Sequence, residues 1–387
     1  MLKKLLLAIG LAAAVGAVQA QSSVTVYGIM DIGVLNAGNT GANNGNTTQV
    51  LSSPMETSRI GFTGREDLGG GTYSGFKLEG QINPGDGSQG ISASTGAANG
   101  LFSRGANVFL GNDAYGRFTI GRQDNLGFEA YNYGDVNGGK NFGGSLIFWN
   151  DGSSFGGASG ARTGIGTMTG TTFLSNALRY DSPTFAGFRL SGLVVASGAT
   201  DNSVLGNTSA SQRYVTALTY NQGPWAAAAS FMNSNDALAN SNAQVTTVGG
   251  NYTFNGGHKV AVGYAKFNNP NSTAANTNFN LYEVSGLYQF TSRISGRAGY
   301  YDLRDVQNGA NGAKMWSLVG NYDFSKRTSA YVGVASMIND GTSGFAPYGA
   351  GSANLNSMYA STGSFPNIMQ TAGNVQSGVV AGMTVRF

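Results

Sequence analysis

Short runs of alternating apolar and polar residues recur along almost the whole chain and limit its possible folds more than any other feature. In VTVYGIMDIGV, which begins at Val24, and in GFKLEGQI, which begins at Gly75, apolar residues recur at every second position. The last such run, VVAGMTVRF, ends at Phe387. A side-chain period of two is that of a β-strand. Each run is near the roughly 9–11 residues that a tilted strand needs to cross a membrane.

About sixteen such runs are present, an even number within the range of bacterial outer-membrane barrels. The sequence therefore predicts an all-β, antiparallel, up-and-down transmembrane barrel. The predicted strands are 24–35, 58–67, 72–83, 104–111, 117–123, 175–180, 187–197, 212–220, 225–232, 244–254, 259–267, 279–290, 294–303, 314–324, 328–337 and 377–387.

The connections between these runs alternate between short and long. Tight turns and long outer loops on opposite rims produce this alternation in an up-and-down barrel. The short turns are 68–71, 112–116, 181–187, 221–224, 255–258, 291–293 and 325–327. The long connections are 36–57, 84–103, 124–174, 198–211, 233–243, 268–278, 304–313 and 338–376.

Composition excludes several other classes of protein. Charged residues make up 11% of the chain, against roughly a quarter in a typical soluble protein. The chain has 61 Gly but no three-residue glycine period, which excludes collagen, and its 18 Tyr and 21 Phe argue against disorder. Because cysteine is absent, disulfides and thiolate metal sites are excluded.

The first twenty residues have the pattern of a secretory signal peptide. Lys3 and Lys4 precede an apolar run, and Val18-Gln19-Ala20 offers a small-residue cleavage site. The predicted domains are thus a signal peptide at 1–20 and a barrel at 21–387. Removal of the two lysines lowers the formal charge from +3 to +1, which gives no electrostatic reason to expect nucleic acid as a partner.

Aromatic residues flank several of the short turns. Rings of this kind favour the membrane interface and predict one girdle at the turn-side rim. In lipid no backbone donor can stay unpaired, so the last strand is expected to pair with the first. The girdle residues are Tyr220, Trp225, Tyr252, Phe254, Tyr288, Phe290, Tyr322, Phe324 and the terminal Phe387.

Five segments give the chain a resemblance to the general porins of Gram-negative bacteria, of the beta-proteobacterial type. They are SVTVYGIMDIGV at the start of the first strand, SRIGFTGREDLGGG at 58–71, FTIGRQDN at 118–125, LRYDSPTFAGF at 178–188 and the strand that ends at Phe387. The resemblance implies an outer-membrane channel for passive diffusion of small hydrophilic solutes and ions. It also implies a homotrimer in contact with outer-membrane lipid and lipopolysaccharide, and a role for Phe387 in the signal read by the assembly machinery.

A sixteen-stranded barrel is too wide for its own side chains to fill. The long connection at about 124–174 resembles the family loop that folds inward as a constriction, opposite arginines of the barrel wall. Candidates for the basic side are Arg59, Arg104, Arg122 and Arg162. Strand alternation points Arg59 inward but directs Arg122 toward lipid, unless a bulge at Gly121 turns it.

The acidic side of the resemblance is less complete. Asn141 in NFGGS occupies the place of a family glutamate, and Ser145 follows where an aspartate is frequent. The remaining acidic candidates are Asp124, Glu129, Asp135 and Asp151. Because carboxylates are missing while arginines are kept, and because basic rings favour anions, the sequence predicts mild anion selectivity.

Three alternatives remain from the sequence. A barrel enzyme would need a positioned base, but the single histidine, His258, falls in a short turn, so the chain is interpreted as a non-enzyme without cofactor or metal. A second alternative is an adhesin or phage receptor that displays the loop 338–376. A solute-specific channel, for example for sugars, would use aromatic residues of the long loop. These are Tyr131, Tyr133, Phe142 and Trp149.

Overall fold

The computed structural model describes residues 23–40, 45–89, 101–145, 148, 172–195, 213–236, 241–268, 278–307, 309, 312–341 and 373–387. The predicted signal peptide lies outside these described residues. So do the predicted site residues Asp151 and Arg162, and so does most of the loop 338–376.

Eighteen strands and one short α-helix form the described part of the chain. The helix α1 is Leu126–Tyr131, and a 3-10 turn, Asn132–Gly134, follows it. The strands are β1 Ser23–Thr40, β2 Gly45–Ser52, β3 Arg59–Gly69, β4 Thr72–Asn83, β5 Ser88–Gln89, β6 Gly105–Asn112, β7 Gly116–Asp124, β8 Phe173–Asp181, β9 Phe188–Val195, β10 Arg213–Gln222, β11 Trp225–Asp236, β12 Ser241–Thr253, β13 Lys259–Asn268, β14 Phe279–Gln289, β15 Ile294–Asp305, β16 Ala313–Asp323, β17 Thr328–Asn339 and β18 Val375–Arg386.

The sheet closes on itself because β1 pairs with two neighbours. Its register with β18 runs from Ile29 opposite Arg386 to Ala37 opposite Gly378, and its other edge pairs with β3. The last residue takes part as well: Gly28 N–H donates to Phe387 O at 3.0 Å, and Phe387 N–H donates to Gly28 O at 3.1 Å. The predicted closed, antiparallel barrel and its closure by the last strand are therefore confirmed.

Sixteen of the strands form the closed barrel, and β2 and β5 lie outside that ring of pairings. β2 forms a hairpin with the upper half of β1, and β5 is a two-residue pairing with β4. The prediction of an unstructured connection at 36–57 was wrong, because β1 continues to Thr40 and β2 lies within this range. The other predicted strand ends lie within four residues of the observed ones.

Alternation separates the two faces of the wall as the sequence indicates. Val24 and Val34 on β1 are about half exposed on the outer face, whereas Asp31, Leu35 and Ala37 are buried inside. On β18 the outward residues include Val379, Met383 and the adjoining Phe387. The outer face is therefore apolar over the height of the sheet, and the polar residues point inward.

Aromatic pairs lie on the outward face beside the short turns, where the girdle was predicted. Three successive hairpins carry the same Tyr-x-Phe pattern, and their ring centroids are 4.7 to 5.0 Å apart. Trp225 packs against Tyr252 at 4.6 Å, and Phe188 packs against Tyr220 at 4.6 Å. The three repeated pairs are Tyr252 with Phe254, Tyr288 with Phe290, and Tyr322 with Phe324.

The hydrophobic core lies inside the barrel, between the wall and the chain that follows β7. One cluster joins Leu126, Tyr131 and Phe148 to inward residues of β8 to β17, and a second cluster surrounds Phe142. Part of the long loop therefore packs inside the barrel. Within the described ranges, no helix has the length and apolar character needed to span a membrane.

Candidate functional site

The long loop leaves the wall at the end of β7 and turns at once into α1. The Asn125 side chain caps this helix by accepting from Gly127 N–H at 2.9 Å, which satisfies one of the free donors of the first turn. Leu126 and Tyr131 are buried in the larger core cluster. Capping and burial together direct the loop across the interior.

Glycines allow the 3-10 turn to touch the opposite wall backbone to backbone. A Cβ on Gly249 would lie 2.6 Å from Gly134 N, and a Cβ on Gly134 would lie 2.6 Å from Gly263 Cα. Beside this contact, Asn251 Nδ2 donates to Tyr133 O at 3.0 Å. The loop is thus held at a separation that larger residues at these positions would prevent.

Asp135 is the next attachment point and is 5% exposed. Its carboxylate accepts from the Tyr301 hydroxyl of β15 at 3.0 Å, from Asn137 N–H at 2.8 Å and from Ser145 N–H at 2.9 Å. This predicted constriction residue therefore fixes the loop to the wall and is withdrawn from the pore water.

The far part of the loop reaches the segment between β2 and β3. Asn141 N–H donates to Met55 O at 3.1 Å, and its Nδ2 donates to Ser53 O at 2.7 Å. Ser317 Oγ donates to Gly143 O at 2.6 Å on the neighbouring wall. Asn141, which stands where the family has a glutamate, thus makes neutral hydrogen bonds.

Positive side chains extend along the inner face of β3 and β4 and the residue before β6. Arg104 Nε donates to Glu79 Oε1 at 2.7 Å, and Lys77 Nζ lies 3.6 Å from the other oxygen of the same carboxylate. Lys77 also lies 3.7 Å from Asp124 on β7. Arg104, a predicted candidate for the basic side, thus belongs to a group of paired charges on the inner face.

An irregularity of β7 places Arg122 beside Arg104. The register with β8 shifts between Gly121 and Gln123, and Gly121 has φ of +123°, so a bulge is present at the position that the sequence analysis considered. Arg122 donates to Ser103 O and to Ser175 Oγ. The guanidinium groups of Arg104 and Arg122 lie 4.6 Å and 5.9 Å from the ring centroid of Phe173.

Glu56 connects this wall to the loop. Lys140 Nζ of the loop donates to its carboxylate, Arg386 Nη2 lies at 3.0 Å and Arg59 Nη2 at 3.5 Å. Burial alone would raise the pKa of the Glu56 carboxyl, but the positive charges, with Lys140 the strongest, lower it to about 2. Glu56 is therefore ionised in neutral water.

Cations outnumber carboxylates among the ion pairs on this wall. Among the described residues, these ion pairs join five cations, Arg59, Lys77, Arg104, Lys140 and Arg386, to three carboxylates, Glu56, Glu79 and Asp124. We call this set the cation cluster. Arg59 links the ion pairs of Glu56 to those of Glu79, because it pairs with Glu56 and also interacts electrostatically with Glu79 and Arg104.

The predicted acidic residue Glu129 belongs to a second, balanced group. Arg179 of β8 pairs with Glu129 of α1 through both guanidinium nitrogens, and Asp181 lies 2.9 Å from the same guanidinium. Arg117 completes the group at 3.1 Å from Asp181. Two cations and two carboxylates therefore tie the helix to β8 without a net charge.

Sequence reasoning missed several members of these groups. Strand alternation already placed Lys77 and Glu79 opposite Leu78, and Arg386 opposite the outward Val385, so their inward position was available from the pattern. Glu56, Lys140 and Arg179 meet partners 50 to 330 residues away along the chain, and no local signal indicates such contacts.

A closed sixteen-stranded barrel with an apolar outer face and a charged, loop-narrowed interior is a membrane channel. The model of the Gram-negative porin family matches residues 7–342, so the chain belongs to that family and lies in the outer membrane. An outer membrane porin protein of Bordetella pertussis is 32% identical over 292 residues, which is 69% of each chain. Outer membrane porin protein 32 of Delftia acidovorans is 47% identical over 87 residues, 22% of this chain and 24% of its own.

Solved structures have the same fold. The anion-selective porin from Comamonas acidovorans superposes with a TM-score of 0.73 at 22% identity, covering 95% of this chain and 100% of its own. The trimer form of OmpT from Vibrio cholerae has a TM-score of 0.61 at 14% identity, covering 95% and 99% of the two chains. At these identities the likeness establishes the fold alone.

Proposed function

We propose that this porin is a water-filled channel for passive diffusion of small hydrophilic solutes and ions, with a mild preference for anions. The observation that carries the preference is the cation cluster, in which five positive side chains share three carboxylates. Charged rings of one sign at a narrow point attract ions of the other sign. The anion selectivity named for the Comamonas acidovorans structure supports the same assignment.

The loop that carries Lys140 acts as the constriction in this proposal. It supplies one member of the cation cluster and is fixed to the far wall through Asp135 and Gly143. Arg59, Arg104 and Arg122 then form the basic wall, and Asp124 lies at its edge. The predicted roles of Asp151 and Arg162, which belong to the same loop, stay part of the proposal.

Assembly as a homotrimer is part of the proposal and is supported by the trimer form of the OmpT relative. Cleavage of a signal peptide at residue 20 and recognition of Phe387 by the assembly machinery also belong to it. Contact of the outer wall with outer-membrane lipid and lipopolysaccharide is also part of the proposal, and the apolar outer face supports it.

A role as an enzyme is not supported by the place of His258. Its ring stacks on Tyr288 with centroids 4.3 Å apart, and its Nδ1 accepts from Gln289 N–H at 3.1 Å. The basic nitrogen is therefore occupied. A sugar channel loses two of its aromatic candidates, because Tyr131 and Phe142 are 2% and 0% exposed and cannot line the water path.

Reversal potentials across a planar bilayer in a KCl gradient test the selectivity. We expect a modest anion preference for the wild type. We expect a two- to fivefold fall in the anion-to-cation permeability ratio for Arg59→Gln or Arg104→Gln, because one charge near water contributes about 1 kcal/mol.

The matched control is Lys314→Gln, which removes a cation from the outward face of β16. Its permeability ratio should stay that of the wild type. A cation preference of the wild type, or an equal loss in the control, would contradict the proposed role of the cluster.

A further inference from the structure

An apolar groove of about 830 Å³ lies on the outer wall, near the turn-side rim. It extends across the outward residues of β13 to β18. The side chains around it include Val260, Tyr288, Leu318 and Val332, each of which is about half exposed. The groove therefore opens to lipid and is separate from the pore.

Small residues in neighbouring cross-strand pairs form the floor of this groove. Gly296 on β15 lies directly opposite Gly320 on β16, and Ala298 lies opposite Gly286 on β14. The glycines have no side chain to fill the surface, while Phe290 and Tyr288 stand at the rim side. The glycines therefore leave a depression beside these aromatic side chains, and a flexible hydrocarbon chain can occupy it.

Basic residues of the short turns lie at the rim end of the groove. The turn 290–293 ends in Arg293 and the turn 324–327 contains Lys326 and Arg327, while His258 ends the turn 254–258. The other short turns, at 70–71, 113–115, 182–187 and 223–224, hold Asp113 and no Lys, Arg or His. Positive charge on the turns is thus confined to the hairpins that border the groove.

The neighbouring charged residues do not neutralise the basic turns at the rim of the groove. Lys259 and Asp323 begin and end the adjacent strands on the inward side of the alternation. His258 Nδ1 accepts from Gln289 N–H, so its hydrogen is on Nε2, which is free to donate to an anion. Basic groups beside a membrane surface each attract anionic lipid with about 1 kcal/mol.

We propose that this groove is a binding site for one anionic diacyl phospholipid of the leaflet that meets the short turns. An acyl chain lies over Gly286, Gly296 and Gly320, and the phosphodiester lies beside Arg293 and Lys326. Charge complementarity points to this occupant, because the basic turns at the rim match an anionic headgroup and the apolar floor matches an acyl chain. Short turns of such barrels face the periplasm, so the lipid belongs to the periplasmic leaflet.

Native mass spectrometry of the mature protein, folded in detergent, tests the lipid part of the proposal. With phosphatidylglycerol added, we expect one lipid retained per barrel, at least fivefold more often than phosphatidylethanolamine. Gly286→Leu and Gly320→Leu should abolish this retention, because the new side chains fill the groove. A Cβ at either position meets no atom closer than 3.6 Å, so both variants should fold and conduct as the wild type.

Gly192→Leu is the matched control for the groove. Gly192 lies on the outward face of β9, where a Cβ would have no neighbour within 4 Å, and this variant should retain lipid fully. Retention of phosphatidylglycerol by Gly286→Leu or Gly320→Leu would refute the site. Loss of subunits from the oligomer at unchanged lipid retention would also refute it, and would assign the groove to a subunit interface.

The headgroup contacts are tested by Arg293→Gln and Lys326→Gln. Each should lower retention of phosphatidylglycerol about fivefold and leave retention of phosphatidylethanolamine unchanged. Lys314→Gln is the control, since it removes a lipid-facing cation from the opposite end of β16. An equal loss in this control would show attraction to positive charge in general and overturn the proposed site.

Discussion

The two inner walls of this barrel use polar residues in opposite ways. On β3 and β4 the charged side chains keep contact with water: Lys77 is 31% exposed and its partner Asp124 is 38% exposed. On β12 to β17 the loop covers the wall, and Asp135 and Tyr301 are buried and hydrogen-bonded. In the proposed channel the first wall acts on ions, and the second wall holds the loop that narrows the water path beside the first.

The difference follows from solvation. A charge beside water keeps much of its hydration and contributes little to stability, but its field reaches a passing ion. A polar group without water must find partners inside the protein, and its loss leaves those partners unsatisfied. Changes on the open wall should therefore alter selectivity, and changes on the covered wall should alter the position of the loop.

The largest expected effect comes from Gly249→Val on the covered wall. The new side chain would overlap the backbone of Gly134, because its Cβ alone would lie 2.6 Å from Gly134 N. Overpacking of this kind costs about 1–3 kcal/mol, so we expect the loop to leave the wall. Single-channel recording should show a larger and noisier open conductance.

The neighbouring Gly250 provides the control for that variant. Gly250→Val places the same side chain on the lipid face, where the nearest atom to a Cβ is Ala226 O at 3.3 Å. Its conductance should stay that of the wild type. Equal conductance changes in both variants would mean that the loop contact is not what narrows the pore.

A smaller effect is expected from Tyr301→Phe. The change keeps the ring beside Phe148 but removes the hydroxyl that donates to Asp135 and accepts from Asn137 Nδ2. Buried partners left without a hydrogen bond cost about 1–3 kcal/mol. We expect a lower midpoint of thermal unfolding and more frequent brief closures, with the ion preference unchanged.

Tyr300→Phe is the control for the hydroxyl, because Tyr300 is the adjacent residue and points outward, 46% exposed. It should match the wild type in both measurements. A change in ion preference for Tyr301→Phe would show that the covered wall also sets selectivity. It would contradict the division of roles between the two walls.

The smallest effect is expected from Glu56→Gln in the cation cluster. It leaves five cations with two carboxylates, so the anion preference should rise about twofold in reversal-potential measurements. The folded-state pKa of Glu56, about 2, is below its ordinary value of 4.5. The ion pairs therefore contribute stability fully above pH 4.5 and lose it as the pH falls through about 2.

The free energies of unfolding of wild type and Glu56→Gln should consequently differ by the same amount at pH 7 and pH 6. This difference should shrink below pH 4.5 and vanish near pH 2. Glu66→Gln, at an exposed site near a short turn, is the control and should follow the wild type throughout. Convergence of Glu56→Gln with the wild type already at pH 4 would contradict the pairing of Glu56 with Lys140 and the two arginines.

Local pattern was sufficient for the wall of the barrel. Alternation placed Val34 and Met383 toward lipid and Arg59 toward the pore, and the register shows the bulge at Gly121 that would turn Arg122 inward. The local pattern did not predict β2, because an Asn- and Gly-rich sequence is typical of a loop. The free edge of β1 nevertheless pairs with this segment. Hydrogen bonding to a neighbour, and not local propensity, decided that strand.

The sequence by itself determined a closed membrane barrel, because a period of two assigns each side chain to lipid or water and lipid forbids a free edge. It also predicted a mild preference for anions, from the family carboxylates that this chain lacks. Only the tertiary structure decided which charges meet. Glu56 and Lys140, or Asp135 and Tyr301, are 84 and 166 residues apart, and the folding of the loop against one wall brings them together.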